Sequence, residues 1–349
     1  MMKKLLFFAA GIISVLFCGC GHTPVRENLP AATPPYTADA ETVAARSAGF
    51  KNIIAPAEIR GIGLFPASFA GRYANEDILD VVEALGFNRI YCQLTSEQEL
   101  DDTLTAFLTA ASQRNIPVEI VLSQQDFYLR YRGNRLIRNL FIQYPDLAEA
   151  VSDVVEYNLE LPENIRIAGV TVVLTPHLFN GDNTERIRGS LYRWDEKRYG
   201  TGCDNDMLMR QSLEYLRQIS EIPFLPPLTV AIADFYHEKA QSGELSCGKI
   251  SDFARYASRV IVISSANLPS RVPENSRQEL ADAGNGAKVI IAVPLATHTA
   301  LDSGSLRRRN WQDFQRAIDF LIKRAAPHPA FQGIVISPLA VVEYLRQER

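Results

Sequence analysis

The densest group of reactive side chains is Asp234-Phe235-Tyr236-His237-Glu238. Asp234 can give or take a proton there, and Tyr236 can steady a developing charge. Glu238 lies four residues on, a spacing that lets it point into solvent. Asp126 is a second acid, set among Phe127, Tyr128, Arg130 and Tyr131. The alternative for Asp234 is structural: it caps the helix that follows, or it pairs with an arginine. His177, His237 and His298 offer imidazoles, and with Asp234 they have the donor types of a three- or four-ligand metal site. No two of them stand at short ligand spacing, so neither a metal nor another cofactor is expected. Trp194, with Tyr192 and Tyr199, lies in a long polar insert. Such aromatics can stack on sugar rings, or they can pack on each other, and both readings stand.

These residues fall at the ends of short apolar runs. The runs are Ile59 to Phe65, Arg89 to Leu94, Val118 to Leu122, Ile167 to Leu174, Leu228 to Ala233, Val260 to Ser264, Val289 to Val293 and Gly333 to Ser337. Amphipathic segments separate them: Glu76 to Leu85 before Gly86, Leu100 to Gln113, Asp146 to Asn158, Met207 to Ile219, and Trp311 to Ala325 after a cap at Asn310. Alternating strands and helices imply parallel pairing. Eight strands suffice to close a (β/α)8 TIM barrel, a single large α/β domain over 55–349. An open doubly wound sheet is the rival. It wants a glycine-rich phosphate turn after its first strand, whereas Gly61 and Gly63 lie inside that strand. In a closed barrel, Asp126, His177, Asp234 and His298 all follow strands, so they border one mouth. The longest inserts, after the third and fourth strands, rise over the same mouth.

The start of the chain reads as an export signal over residues 1–19. Lys3 and Lys4 precede the apolar run Leu5 to Phe17, which is shorter than the ~20 residues a helix needs to cross a bilayer. Leu16-Phe17-Cys18-Gly19-Cys20 resembles the bacterial lipobox. That resemblance implies lipid on Cys20 and a membrane partner reached through it. Gly21, rather than Asp, implies sorting to the outer membrane or surface of a Gram-negative cell. Residues 20–54, with Pro24, Pro30, Pro34 and Pro35, read as a semi-extended tether. A net charge of −4 argues against a nucleic-acid partner. Cys203 and Cys247 lie in loops after neighbouring strands. Export permits a disulfide between them, while Cys92 reads as a buried thiol.

The segment order, and Ala168-Gly169 opening the fourth strand, resemble barrel glycoside hydrolases of the chitinase-like type. Their fourth strand carries D-G-x-D-x-D-x-E, with the final Glu as general acid. Laid on Ala168 to Thr175, only Gly169 matches. Thr175 stands at the acid and Val173 at its Asp partner, and neither can donate a proton at neutral pH. The resemblance therefore implies an ancestry in sugar hydrolysis without its usual acids. On that reading the chain binds a glycan or an envelope protein at its mouth. Glycosidases need two carboxyl groups across the bond. An active alternative would use Asp234 with Asp126 or Glu238, and a metal-dependent hydrolase using the histidines is a third reading.

Overall fold

The computed structural model describes residues 40–64, 74–94, 99–123, 146–178, 192–264, 276–283, 286–293 and 311–336. The export signal, Cys20, Asp126, His298 and Asn310 lie outside them. Eight strands pair in parallel and in sequence order, the last with the first, as a closed barrel. They are β1 (Ile59–Leu64), β2 (Arg89–Leu94), β3 (Val118–Ser123), β4 (Gly169–Leu174), β5 (Leu228–Ala233), β6 (Arg259–Ile263), β7 (Val289–Val293) and β8 (Phe331–Ile336). The described helices are α1 (Ala40–Ile54), α2 (Asn75–Ala84), α3 (Asp102–Gln113), α4 (Leu147–Glu160), α5 (Asp204–Ser220), α6 (Phe235–Gln241), α7 (Ile250–Ala254), α8 (Arg277–Asp282) and α9 (Trp311–Ala325). The chain is thus a TIM barrel. Among the described residues, no helix is long and apolar enough to cross a membrane.

The strands form where β-branched residues run together, because both faces are buried in a closed parallel sheet. Outward residues such as Ile90, Ile120, Val172 and Val262 meet the helices. Inward residues form a separate cluster of Ile59, Tyr91, Val121, Val173, Ala231, Ile261, Ile290, Ala292 and Val335. Tyr91 fills the axis because β1 supplies glycine opposite it. A Cβ on Gly61 would stand 2.5 Å from the Tyr91 ring.

A polar knot closes the barrel below this hydrocarbon. Glu119, wholly buried, accepts from Arg89 Nη1 at 2.6 Å and Arg259 Nη1 at 2.9 Å through Oε1. Its Oε2 accepts from the hydroxyls of Thr171 at 3.0 Å and Thr229 at 3.3 Å. The partners come from β2, β4, β5 and β6. Since β3 and β6 are not neighbours, the Arg259 bond spans the barrel interior. Gly169 makes room for the carboxyl, as a Cβ there would lie 3.1 Å from the Glu119 side chain and 2.9 Å from Pro227 O.

The expected tether is corrected at its end, because Ala40–Ile54 is the helix α1, not extended chain. Its Phe50 and Ile54 are fully buried. The Phe50 ring stacks on Phe314 at 5.7 Å and meets Trp311 at 5.9 Å, so α1 packs on α9. Burying two such side chains contributes roughly 1.5–3 kcal/mol each, which outweighs a weakly amphipathic sequence. The helix also places the start of the domain before residue 55.

Two non-glycine residues adopt left-handed backbone, Asn115 at φ 55° and Phe224 at φ 59°. Asn115 follows α3, where asparagine suits a helix end. Phe224 has no such compatibility, and its side chain is 79% exposed, so it packs little in return. Replacing Phe224 by Asn is expected to raise the unfolding free energy by about 1 kcal/mol, read by urea denaturation. An equal loss would mean that the phenyl ring packs on something that stabilises it.

Candidate functional site at the barrel mouth

The inward positions step by two along each strand. Glu119, Thr171, Thr229 and Arg259 at the bottom lead up to Val121, Val173, Ala231 and Ile261. One further step reaches Ser123, Thr175, Ala233 and Ile263, with Gln93 as the matching position on β2. No carboxylate stands among these mouth residues. Glu119 is the only acidic residue in any of the eight strands, and it lies at the opposite end. Val173 is packed in the interior cluster, and Thr175 is 6% exposed one residue past β4. At the mouth β4 therefore delivers hydrocarbon and a hydroxyl.

Beside Thr175, the chain turns through a short 3-10 segment, Pro176–Leu178, and presents His177. The Tyr236 hydroxyl accepts the His177 backbone N–H at 3.3 Å. It also bonds His177 Nδ1. The hydroxyl proton then goes to Nδ1, and Nε2 keeps the ring proton, an assignment made from the bonding pattern. Burial pushes the His177 pKa down to about 4, so the imidazole is neutral at pH 7. Burial likewise raises the Tyr236 phenol well above its ordinary value. This tyrosine is a fixed buried post and does not reach a ligand.

Trp194 is 3% exposed and takes the same packed environment. Its ring lies 5.8 Å from Tyr236, 5.9 Å from Tyr199, 6.2 Å from Phe235 and 6.4 Å from His177. The sugar-stacking expectation for Trp194 is thus corrected. Offset and edge-on aromatic pairs are worth about 0.5–1.5 kcal/mol beyond their burial. The indole spends its faces on its neighbours.

Asp234 follows β5 directly and is 4% exposed. Its backbone N–H continues the ladder to Ile263 O at 3.0 Å. Its carboxyl accepts from the Ser264 hydroxyl at 3.2 Å, past the end of β6, and its side chain does not cap α6. Glu238 is exposed on α6. His237 turns into the helix layer. Its Nδ1 accepts the Ile250 N–H at 3.1 Å, and its Nε2 donates to Asp282 Oδ2 at 2.9 Å. It therefore ties α6 to α7 and α8, while His177 serves Tyr236. No group of three metal-ligating side chains gathers among the described residues.

Glu279 of α8 is the acid that pattern reading overlooks. It is 2% exposed. Burial foremost, then the negative charges of Asp234, Glu238 and Asp282, raise its pKa to about 8. A carboxyl still protonated at neutral pH is one ingredient of general-acid chemistry. The signal available in sequence was slight: a glutamate beside Leu280 in a six-residue helix.

The expected disulfide is also corrected, because Cys203 and Cys247 are separate thiols. Their two loops are joined by Asp206 instead. Its Oδ1 accepts from the Ser246 N–H at 2.7 Å and hydroxyl at 2.6 Å, and its Oδ2 from the Gly202 N–H at 2.8 Å. Cys203 Sγ turns to Arg198 O at 3.3 Å. Burial raises the Cys247 thiol to about 11, which keeps it protonated and unreactive.

No family model and no curated protein matches the sequence. Solved structures do. A thermostable mutant of a xylanase, Xyn10A from Cellvibrio japonicus, aligns at a TM-score of 0.47 and 12% identity, over 81% of this chain and 87% of its own. A chitinase from Chromobacterium violaceum ATCC 12472 aligns at 0.38 and 12%, over 68% of each chain. A protein described as a putative lyase/mutase from Burkholderia cenocepacia J2315 aligns at 0.40 and 12%, over 86% and 84%. The barrel assignment itself rests on the strand pairing given above.

Glu279 makes stability depend on pH in a definite direction. Its carboxyl ionises near its ordinary value of 4.5 when unfolded and near 8 when folded. The folded state is favoured below 4.5, and that advantage is lost as pH rises to about 8. His177 acts oppositely, with stability present above 6.5 and lost as pH falls towards 4. Urea denaturation of Glu279→Gln across this range is expected to show a flatter profile, with a gain of ~1–3 kcal/mol over wild type at pH 8. Parallel profiles would contradict the assignment.

Proposed function

We propose that this chain is a lipid-anchored envelope barrel that binds a glycan or a partner protein at its mouth and does not cleave glycosidic bonds. The observation that carries this reading is the position of the strand acids. The interior below the mouth is hydrocarbon, and the only acidic residue in the strands is Glu119 at the far end. A glycosidase needs two carboxyl groups across the scissile bond with space for a sugar between them. Thr175, Ala233 and Ile263 provide neither acid nor base. Trp194, Phe235, Tyr236 and His177 pack on one another and make the border beside the mouth rigid. Anchoring through Cys20 belongs to the same reading, and rests on the Leu16 to Cys20 sequence.

A second reading is an active glycosidase with displaced acids. One observation favours it: Glu279 holds a proton near neutrality, helped by the charge of Asp234. Both carboxyls are nearly inaccessible, which separates them from any substrate at the mouth.

The full chain should be assayed against chromogenic glycosides and soluble polysaccharides for turnover, and against the same polysaccharides for binding by affinity electrophoresis. Binding without turnover is expected. Turnover abolished by Asp234→Asn or Glu279→Gln would overturn the first reading in favour of the second.

A further inference from the structure

We infer that the end of the barrel opposite the mouth is a binding pocket for a small oxyanion, a carboxylate or a phosphate. A cavity of ≈ 530 Å³ opens there, among the starts of the strands. Its charged wall is Arg89, Arg259 and Lys288, with Glu58 at one edge and Gln332 beside it. The volume admits a sugar-sized ligand, and the site lies at the other end of the axis from the proposed mouth.

The two guanidiniums are held in place from behind. Each gives Nη1 to Glu119 Oε1. Arg89 and Arg259 keep 19% and 11% of their side chains exposed, while Glu119 keeps none. A guanidinium carries five N–H donors in a rigid fork. Among the described residues, Nε and Nη2 of both arginines have no protein acceptor. Glu119 therefore acts as a buried counter-charge that fixes two forks and leaves their remaining donors for a ligand, the arrangement that suits a carboxylate or phosphate.

Lys288 is exposed and has no ion-pair partner among the described residues. Three cations thus face two carboxylates, Glu119 and Glu58, with one positive charge in excess. A monoanion neutralises the pocket. Gln332 adds a polar edge to the cavity. It is 8% exposed and donates to Glu58 Oε1 at 3.3 Å, while its own Oε1 is buried without a partner.

The test is calorimetric titration of the full chain with inorganic phosphate, D-glucuronate and D-glucose. Saturable binding of phosphate or glucuronate is expected, with none for glucose. Phosphate alone would identify the ligand class as phosphate, and glucuronate alone as carboxylate. Arg259→Gln strips a partner from Glu119 and can unfold the chain, so Lys288 supplies the decisive variants. Lys288→Gln should weaken binding by roughly threefold, and Lys288→Glu should weaken it further. The inference is overturned if neither anion saturates, if glucose binds as well as glucuronate, or if both Lys288 variants bind as wild type. Because the site is remote from the mouth, its failure leaves the polysaccharide result untouched, and the reverse also holds.

Discussion

One buried carboxylate sets the geometry of this barrel. Glu119 draws side chains from β2, β4, β5 and β6 to a single point below the hydrocarbon interior. Taking one ion from water costs several kcal/mol, and only a full set of charge-assisted bonds offsets it. The arrangement is also demanding in register. Glu119 pairs with Gly169, Thr171 with Thr229, and Thr229 with Arg259 along successive strands. A slip of one residue in any of them would turn its polar group outward, against a helix. Gly169 completes the fit by leaving space where a Cβ would clash with Pro227 O at 2.9 Å and crowd the Glu119 side chain at 3.1 Å.

The distribution of polarity along the axis follows from that knot. Charge gathers where strands begin. Hydrocarbon fills the middle, and hydroxyl, amide and aromatic groups finish the other end. Barrel enzymes place their chemistry where strands end, and there this chain offers a neutral imidazole locked to a buried phenol. Among the described residues near that end, the buried acids Asp234 and Glu279 belong to the joint between barrel and helices. Their burial explains both the protonated state of Glu279 and the poor access to it.

Much of the fold was legible because buried parallel strands write themselves as β-branched runs: Arg89–Leu94, Leu228–Ala233 and Val289–Val293 coincide with the observed strands. The barrel mouth was legible for the same reason, since residues following strands must meet there. Side-chain destinations were not. Both faces of these strands are buried, so alternation no longer marks inside from outside, and Glu119 reads as an unremarked strand glutamate. Pro34 and Pro35 hid α1, whose stability comes from docking Phe50 and Ile54 on α9. Cys203 and Cys247 named the right two loops, but Asp206 makes the connection. Aromatic composition could not distinguish Trp194 facing a ligand from Trp194 packed among its own neighbours. Glu279 escaped because its burial, and the nearby charges of Asp234 and Glu238 on other elements, arise only once the chain folds.

Glu119 and Arg259 act as one unit across the barrel. A double-mutant cycle with Glu119→Gln and Arg259→Gln, read by urea unfolding of the full chain, tests that most directly. Each single change should cost about 3 kcal/mol by stranding a partner, and the double change should cost less than their sum by ~2 kcal/mol or more. Additivity to within about 0.5 kcal/mol would show that the two side chains do not depend on each other, and would contradict the account.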